Sequence, residues 1–382
     1  MSEPYHVGLN AHLLSLSQTY RGAGINGYIF HLLHHLPAAG SGFRYTAYLY
    51  DSAFPAPAGL AICRSHWDTR SPWRRIVWEQ THLAAYTRHL DLLHGLAFAA
   101  PLLSACPTVV TVHDLSFLRF PDAFRPFNRY YLTFITRIAT RRAARVIAVS
   151  ESTRQDVIAL CHVPGEKVVV VYNGVDSRFQ PAAQDEVAAF RQQKGLPPRF
   201  ILFLGTLEPR KNLARLISAY AQWRRTSGED VKLVIAGGKG WYYEKVFELV
   251  SRLGLTSEVL FTGFVPAEEL PWFYRAAELF VYPSRCEGFG LPVLEAMACG
   301  TPTITSTASS LPEVAGDAAL LVDPDDTDAL AAAIGRVMSE PALAARLREA
   351  GMRQAQRFSW PRAAAATAEV YRSVLESQEE GP

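Results

Sequence analysis

Residues 283–300 read PSRCEGFGLPVLEAMACG, and this stretch decides the fold assignment. The run before it, ELFVY at 278–282, is mostly apolar and predicts a buried strand. Pro292 suits a first helical position, where its missing N–H costs nothing, and Gly300 is typical of a helix end. The glycines before Pro292 allow a sharp turn that leaves backbone N–H groups free to bind an anion. The stretch therefore predicts a strand, a glycine-rich turn and a short helix around an anion site.

Two glutamates bracket the start of this predicted helix. Glu287 falls in the turn, beside whatever carries the anion, and Glu295 lies one helical turn in, where it can point toward hydroxyl groups. A phosphorylated sugar would satisfy the turn and both acids at once. The plainer alternative is an ordinary strand, turn and helix whose acids are solvated.

The stretch resembles the two-glutamate motif of the retaining glycosyltransferases of the GT-B fold, specifically glycosyltransferase family four. In that family both glutamates contact a nucleotide-sugar donor. The resemblance continues through Thr301-Pro302 and the run LPEVAG at 311–316. It implies that Glu287 holds sugar hydroxyls and Glu295 the ribose. It also implies further donor-binding positions at Gly237, Val265, Phe289, Gly290 and Leu291.

The fold implied by this resemblance is α/β, with two Rossmann-like doubly wound parallel-sheet domains facing a deep interdomain cleft. The residues favour the same class, because β-branched apolar runs alternate with helical patterns. In the first half we predict strands at His6–Leu9, Tyr45–Tyr50, Leu92–His94, Thr108–His113, Val146–Val149 and Val168–Tyr172. In the second half we predict them at Phe200–Leu204, Leu233–Ala236, Leu260–Thr262, Leu279–Tyr282, Thr303–Thr305 and Leu320–Val322.

The domain boundary is predicted near residue 180, where a segment rich in Pro, Gln and Ala separates the two series of strands. Residues 1–180 would form an acceptor domain and residues 181–360 a nucleotide-sugar donor domain. We expect the final helix, about 361–382, to pack back on the first domain.

Composition excludes several classes of protein. The chain of 382 residues fits two domains, and its 49% hydrophobic and 19% charged residues indicate a globular protein. A net charge of +2 gives no reason to expect nucleic-acid binding. The five cysteines show no CxxC or Cys/His spacing, so we expect reduced thiols and neither disulfides nor a zinc site. The start of the chain lacks the pattern of a signal peptide. We therefore expect a cytoplasmic protein.

A pair of adjacent cations follows the first strand of the second half, in the run GTLEPRKN at 205–212. Arg210 can bind a diphosphate bidentately and Lys211 can act as a point charge, although two solvated surface cations are the alternative. In the resembling family, an Arg directly after the first glycine and a later Lys hold the donor diphosphate. Thr206 occupies that Arg position here, so Arg210 must serve in its place if the role is kept. Similar runs are common in mannosyl and rhamnosyl transferases of surface polysaccharides.

The run RGAGINGY at 21–28 formally contains the dinucleotide fingerprint GxGxxG. The fingerprint should directly follow a strand, and here about a dozen residues intervene. The run resembles the family's N-terminal glycine loop, which implies donor contacts at Gly22 and Gly24 and acceptor contact at Tyr28. Asp51 after the second strand keeps the dehydrogenase alternative open.

His113-Asp114 ends a predicted strand at the expected cleft edge. The resemblance implies that His113 lies against the donor sugar, largely by its backbone carbonyl, and we count it with Glu287, Arg210 and Lys211 as a candidate catalytic residue. Asp114 either contacts the acceptor or caps the turn.

The segment Trp67–Trp78 combines three tryptophans with three arginines. Such a mixture suits a membrane interface or a lipid-phosphate acceptor. The alternative is an amphipathic helix whose tryptophans pack on the sheet. If the first interpretation holds, the protein contacts the inner face of the membrane peripherally.

Together these features predict a retaining hexosyltransferase that uses a nucleoside diphosphate sugar, with GDP-mannose the leading donor. The acceptor would be a hydroxyl of a glycan or a polyprenyl-linked sugar, in surface polysaccharide assembly. We expect no cofactor and no metal, because the sequence offers no Asp-x-Asp pair suited to a metal-bound diphosphate. A GT-B epimerase and a non-catalytic nucleotide-sugar-binding protein are the alternatives.

Overall fold

The computed structural model describes residues 3–15, 24–40, 42–51, 53–121, 126–238, 240 and 244–379. They fall into two compact units. The first contains the described residues up to Gly174 together with those from Ser359 onward, and the second contains Val175–Phe358.

The first unit is built on a parallel sheet of seven strands in the order β3-β2-β1-β4-β5-β6-β7. Its central strands β4 and β5 are buried along their whole length, as expected when helices cover both faces of a parallel sheet. The strands are β1 Tyr5–Asn10, β2 Phe43–Leu49, β3 Leu60–Arg64, β4 Leu92–Gly95, β5 Thr108–Val112, β6 Arg145–Ala148 and β7 Val168–Val170.

The helices of this unit include one irregular segment. A π-helical turn, Glu79–Leu83, joins two short α-helices, and 3₁₀ turns occur at Thr87–His89 and Gly165–Lys167. The α-helices are α1 Ile25–Ala39, α2 Pro72–Trp78, α3 Ala84–Tyr86, α4 Ser116–Arg119, α5 Pro126–Arg142 and α6 Glu151–Cys161, with the last helix of the chain, α15 Trp360–Glu379.

The second unit repeats the design with a parallel sheet of six strands in the order β10-β9-β8-β11-β12-β13. The strands are β8 Phe200–Leu204, β9 Lys232–Ala236, β10 Val259–Gly263, β11 Leu279–Tyr282, β12 Thr303–Ser306 and β13 Leu320–Val322. The α-helices are α7 Gln184–Gln193, α8 Leu213–Ser227, α9 Glu244–Arg252, α10 Leu270–Ala276, α11 Leu291–Ala298, α12 Leu311–Ala315, α13 Thr327–Ser339 and α14 Pro341–Ala355, with 3₁₀ turns at Pro209–Lys211 and Gly316–Ala318.

Strand β3 is a difference from the sequence prediction, which placed no strand at Leu60–Arg64. It pairs with β2 at the sheet edge, and four of its five residues are half-buried or exposed. An edge strand of this kind lacks the continuous apolar run that marks the central strands. Predicted strand 168–172 is also too long, because β7 ends at Val170.

Helix α15 packs on α1 in the first unit. Its Tyr371 hydroxyl lies 2.6 Å from His94 Nδ1, and His94 Nε2 lies 2.8 Å from Thr111 Oγ1. Trp360 at the start of the helix stacks on His31, with ring centroids 4.8 Å apart. These contacts fix the last helix to β4, β5 and α1.

No helix among these described segments is long and apolar enough to cross a bilayer. Residues 92–113, which include no Asp, Glu, Lys or Arg, fold into β4, a loop and β5.

Candidate active site

The two adjacent cations of the second unit lie at the carboxyl end of β8, in the 3₁₀ turn Pro209–Lys211. Neither is a solvated surface side chain, since Lys211 is buried and Arg210 is half-buried. Asn212 stabilises the turn, because its side-chain amide donates to the carbonyls of Pro283 and Pro324. The alternative of two solvated cations is therefore wrong.

Lys211 is bound to the first glutamate of the motif. Its Nζ lies 2.6 Å from Glu287 Oε1 and 2.7 Å from the Tyr282 hydroxyl, and that hydroxyl donates to the same carboxylate oxygen at 2.9 Å. All three side chains are buried. A lysine, a tyrosine and a glutamate thus form a closed triangle of hydrogen bonds.

Arg210 extends this triangle into a larger charge cluster. Its Nη1 lies 3.3 Å from Glu287 Oε2 and donates to the Cys286 carbonyl at 2.8 Å, while its Nε lies 2.5 Å from Glu208 Oε1. Two cations therefore face two carboxylates, and the cluster is neutral when all four are ionised. Arg210 and Lys211 are oriented by protein acids before any ligand binds.

These contacts determine the protonation states. Burial by itself raises the pKa of Glu287, but Lys211 and Arg210 outweigh it and lower the pKa to about 2. Burial and the neighbouring Arg210 lower the pKa of Lys211, and Glu287 and Glu208 oppose that shift. Glu287 is therefore a carboxylate at neutral pH, and it opposes the loss of the Lys211 charge.

The glycine-rich turn begins α11 as the sequence predicts. Gly290, with φ of 109°, precedes the helix in a backbone conformation that favours glycine. Ser310 Oγ donates to the carbonyls of Glu287 and Phe289, and these hydrogen bonds stabilise the glycine-rich turn. The N–H groups of Gly290 and Leu291 have no acceptor within the described parts of the chain. They are the groups available for an anion.

Glu295, the second motif glutamate, lies within α11 and is partly buried. Its Oε2 accepts from the Tyr274 hydroxyl at 2.9 Å. Burial and the nearby Asp176 raise its pKa to about 7, although Tyr274 and Arg178 act in the opposite direction. The two glutamates therefore differ in character: one is a carboxylate fixed by cations, and the other titrates near neutrality.

The remaining donor positions of the second unit lie at strand ends or beside α11. Gly237 follows β9 and packs closely against the backbone of Gly205. A Cβ added at Gly237 would lie 2.0 Å from the Gly205 carbonyl oxygen, so no side chain fits there. Val265 is buried after β10. Phe289 is buried with its ring 5.6 Å from that of Phe358. The aromatic side chain is thus used for packing, and contact of Phe289 with the donor stays a prediction.

In the first unit, His113 is buried at the end of β5. Its Nε2 lies 2.9 Å from the Leu96 carbonyl, and burial lowers its pKa to about 4, so the ring is neutral at physiological pH. Its own carbonyl is 3.5 Å from Thr153 Oγ1. Asp114 Oδ1 accepts from the N–H and hydroxyl of Ser116 and caps the turn, and acceptor contact by Asp114 stays a prediction.

The glycine loop is described only in part. Gly22 lies outside the described residues, whereas Gly24 precedes α1 with φ of 64°. Tyr28 is buried in α1, with its hydroxyl 3.0 Å from Thr111 Oγ1 and its ring edge-on to His113. This position suits support of His113, and an acceptor contact by Tyr28 also stays a prediction.

Several members of the cluster had no counterpart in the sequence reasoning. Glu208 and Tyr282 pair with the two cations, and Ser309 and Ser310 hold the glycine turn, with Ser309 Oγ accepting from the Glu287 N–H at 2.8 Å. Glu208 adjoins the cations in sequence and could have been considered. The two serines follow β12 and carry no signal of their own.

A separate cavity of about 500 Å³ lies beside the cation turn, on the α8 side of the second unit. Glu208, Asn212, Arg215 and Lys245 contribute to its lining, but the motif glutamates and both cluster cations do not. Of the charge cluster, only Glu208 contributes to the lining of this cavity.

Comparison with known proteins decides the family. The sequence profile described as "Glycosyl transferases group 1" matches residues 185–354, and that described as "Glycosyltransferase Family 4" matches residues 8–179. O-antigen chain mannosyltransferase B of Escherichia coli is 35% identical over 266 residues, which cover 69% of this chain and 70% of that protein. This chain is a family-four glycosyltransferase.

Two further relatives are similar over comparable shares of this chain. The serotype-specific mannosyltransferase WbdA of Escherichia coli is 30% identical over 72% of this chain, and the match spans 34% of WbdA. A D-inositol 3-phosphate glycosyltransferase of Salinispora arenicola is 35% identical over 74% of this chain and 68% of that protein.

Solved structures confirm the fold of this family-four glycosyltransferase. Sucrose-phosphate synthase of Thermosynechococcus elongatus matches with a TM-score of 0.79 over 98% of this chain and 100% of that one, at 23% identity. HepE of Anabaena, solved in complex with UDP-glucose, matches with a TM-score of 0.75 over 97% of this chain and 100% of HepE, at 21% identity. With the two parallel-sheet units, these matches confirm the predicted GT-B fold class.

Proposed function

We propose that this protein transfers a hexose from a nucleoside diphosphate sugar to a hydroxyl of a glycan or lipid-linked acceptor. Mannose from GDP-mannose is the leading donor, because the relatives O-antigen chain mannosyltransferase B and WbdA are named as mannosyltransferases. The reaction would proceed with retention at the anomeric carbon and would serve the assembly of a surface polysaccharide.

The observation that carries the proposal is the charge cluster at the end of β8. Arg210 and Lys211 are held by Glu208 and Glu287 within hydrogen-bonding distance, and the cluster lies beside the free N–H groups that begin α11. Two preorganised cations and a helix N-terminus form a site for a dianionic diphosphate. A merely structural pair of charges would not need a glycine-rich anion turn next to it.

The same cluster supports a chemical role in the transfer. Cleavage of the bond between sugar and diphosphate develops negative charge on the leaving phosphate, and fixed cations stabilise that charge more in the transition state than in the substrate. Arg210 and Lys211 supply this stabilisation in the proposed mechanism. Glu287, ionised because its pKa is about 2, would accept hydrogen bonds from the sugar hydroxyls.

Metal independence is part of the proposal and rests on these cations, which occupy the role that a divalent ion has in other transferases. Within the described residues, no three His, Cys, Asp or Glu side chains are grouped so as to hold a metal ion. Contact of the His113 backbone carbonyl with the donor sugar, which the family resemblance implies, is also part of the proposal.

An exposed face of α2 supports a proposal of membrane contact. Trp73 and Val77 lie one helical turn apart on α2, and both are exposed, Trp73 by 61%. Arg74 lies beside them and is exposed as well. We propose that this face binds an anionic bilayer, where a polyprenyl-linked acceptor would present its sugar.

The transfer is tested by incubating the protein with a panel of nucleoside diphosphate sugars, with and without mannosylated oligosaccharide acceptors. We expect nucleoside diphosphate to be released, and a longer oligosaccharide to form, only when the acceptor is present. Proton NMR of the product should show the α-anomer from an α-linked donor, and excess chelator should leave the rate unchanged. Donor conversion in the absence of acceptor would instead indicate an epimerase or a hydrolase.

A further inference from the structure

A group of polar side chains with unmet hydrogen-bonding capacity lies at the carboxyl end of β1 in the first unit. In this sheet the chain runs from β1 outward through β2 and β3 and then returns to β4 on the other side of β1. The carboxyl end of β1 is therefore the point where the strand order reverses, and ligands of open α/β sheets bind at such points. Asn10 ends the strand there and His12 follows it.

His12 carries an unpartnered nitrogen. Its Nδ1 lies 2.9 Å from Thr69 Oγ1, but its Nε2 has no hydrogen-bond partner among the residues that the structure describes. The residue is 4% exposed, and its ring lies 4.0 Å from that of Trp78. Burying a polar atom without a partner costs free energy, so a native structure that keeps one usually has a use for it.

Glu79 brings a buried carboxylate to the same place. It is 6% exposed and starts the π-helical turn, a rare feature that often marks functional sites. Its Oε1 accepts from Asn10 Nδ2 at 3.1 Å. Among the described residues, this is the one hydrogen bond that the Glu79 side chain makes. A carboxylate can accept about four hydrogen bonds, so most of that capacity is unused.

Arg75 completes the group from one helical turn before Glu79. It is half-buried and close enough to affect the ionisation of His12, Glu79 and the α5 residue Tyr131. Its guanidinium makes no hydrogen bond or ion pair with any residue that the structure describes. Its five donors are therefore available to a ligand.

The charges of the group select the class of ligand. Burial and the nearby Arg75 lower the pKa of His12 to about 3, so His12 is neutral at physiological pH. Arg75 is the only cation of this group, and it lies near the Glu79 acid, whose pKa is raised by burial and lowered by Arg75 and Asn10. The cluster after β8 offers a diphosphate two cations and a glycine turn that begins a helix, and the four residues of this group provide neither of these features. A neutral polyhydroxyl ligand can instead donate to Glu79, accept from Arg75 and bond with His12 Nε2. Trp67, 40% exposed and 5.0 Å from His82, offers an apolar surface nearby.

We propose that Asn10, His12, Arg75 and Glu79 form a binding subsite for an uncharged sugar ring of the acceptor glycan. The inference rests on the proposed function, since it assigns this subsite to the acceptor. Glu79 receives hydrogen bonds from neighbouring sugar hydroxyls, and Arg75 donates to a ring or hydroxyl oxygen. The subsite lies wholly within the first unit, so its occupation can be measured without donor.

The test titrates mannotriose into the full-length protein and measures binding by saturation-transfer NMR and by tryptophan fluorescence. Glu79→Gln keeps the shape of the side chain and can still accept from Asn10, and Arg75→Ala removes a half-buried side chain with little risk to folding. Because hydrogen bonds to charged groups are strong, we expect each variant to weaken binding by about ten- to a hundredfold. Arg88→Ala, an exposed arginine of the same unit, is the matched control and should bind as the wild type does.

Two further measurements separate this inference from the proposed function. GDP-mannose affinity should be unchanged in Glu79→Gln, whereas the acceptor KM in the transfer assay should rise. Failure of the wild type to bind any nucleotide sugar would contradict the proposed function and leave the mannotriose titration readable. Mannotriose binding that is equal in wild type, Glu79→Gln and Arg75→Ala would overturn the subsite. So would an absence of mannotriose binding in the wild type, or binding of mannose 6-phosphate that is tighter than that of mannose and depends on Arg75.

Discussion

Lys211 Nζ lies 2.6 Å from Glu287 Oε1, although the two residues are 76 positions apart in the sequence. Both side chains are buried, so the pair couples the cation turn after β8 to the glycine turn after β11. In the proposed mechanism these two turns bind the diphosphate and the sugar of one donor molecule. The ion pair holds them in register before the donor arrives.

The first prediction concerns the stability of this pair. Lys211→Met removes one of the two cations that pair with the Glu287 carboxylate, while Arg210 remains 3.3 Å away. The free energy of unfolding should therefore fall by about 1–3 kcal/mol. This is less than the roughly 3–5 kcal/mol that a fully unpaired buried charge costs. Urea unfolding measures the loss, and the double variant Lys211→Met/Glu287→Gln should recover part of it.

The matched control for that prediction is Lys194→Met. Lys194 Nζ is also 2.6 Å from a carboxylate oxygen, that of Glu269, but the pair is about one-third exposed. Surface pairs of this kind contribute about 0–1 kcal/mol. Equal losses for Lys194→Met and Lys211→Met would show that burial of the Glu287 pair has no special consequence.

The second prediction separates the roles of the two motif glutamates. Glu287→Gln should lower kcat, because its carboxylate would contact the transferring sugar and orient Lys211. Glu295→Gln should mainly raise the donor KM, because a ribose contact binds substrate and transition state alike. Steady-state kinetics with varied donor measure both effects. Small and equal effects in the two variants would contradict separate donor-binding roles for the two glutamates and would indicate that the motif is structural.

The third prediction concerns pH and Glu295. Burial raises its pKa from the ordinary 4.5 to about 7, so the folded protein binds a proton that the unfolded chain releases between these values. The free energy of unfolding should therefore fall as pH rises from about 4.5 to 7, relative to Glu295→Gln, which lacks this titration. Unfolding curves at several pH values measure the difference. The exposed α14 residue Glu349 provides a control, since Glu349→Gln should leave the pH profile unchanged.

The fourth prediction concerns the α2 surface. Cosedimentation with anionic vesicles should fall with salt, and it should fall in Arg74→Glu and Trp73→Ala, because each basic residue near an anionic surface contributes about 1 kcal/mol. Arg74 is the better target than Arg75, whose side chain is half-buried beside Glu79. Transfer to a short oligosaccharide should be unaffected. Vesicle binding that is insensitive to salt and to both substitutions would contradict membrane contact by this face.

The tryptophans of that segment show how far sequence could predict this molecule. The two interpretations of Trp67–Trp78 were a membrane interface and a helix packed on the sheet. The structure divides the residues between them, because Trp78 is buried while Trp67 and Trp73 are exposed. A composition rich in Trp and Arg gives no information on which face of a short helix is covered.

The parallel sheets could be predicted because their central strands are buried on both faces and read as unbroken apolar runs, as β8 and β11 do. Ser150 caps α6 from within the same short stretch of sequence, since its Oγ accepts from the Thr153 N–H. Such features depend on neighbours in the chain. Edge strand β3 depends on the sheet as a whole and was missed.

The charge cluster could be predicted only in its parts. Adjacent cations at Arg210 and Lys211 and the acid at Glu287 are visible in the sequence, but their mutual pairing is not. Tyr282 was taken only as the end of an apolar strand, and its hydroxyl proves to join the lysine to the glutamate. Partners brought together by sheet order leave no local pattern.

The most direct measurement of the central claim is calorimetric titration of GDP-mannose into the wild type, Arg210→Ala and Lys211→Ala. If these cations bind the donor diphosphate, each variant should bind about ten- to a hundredfold more weakly, the effect of losing a charge-assisted hydrogen bond. Arg353→Ala, which removes an exposed arginine of the same unit, should bind as the wild type does. Wild-type affinity in both Arg210→Ala and Lys211→Ala would contradict the assignment of this turn to the diphosphate.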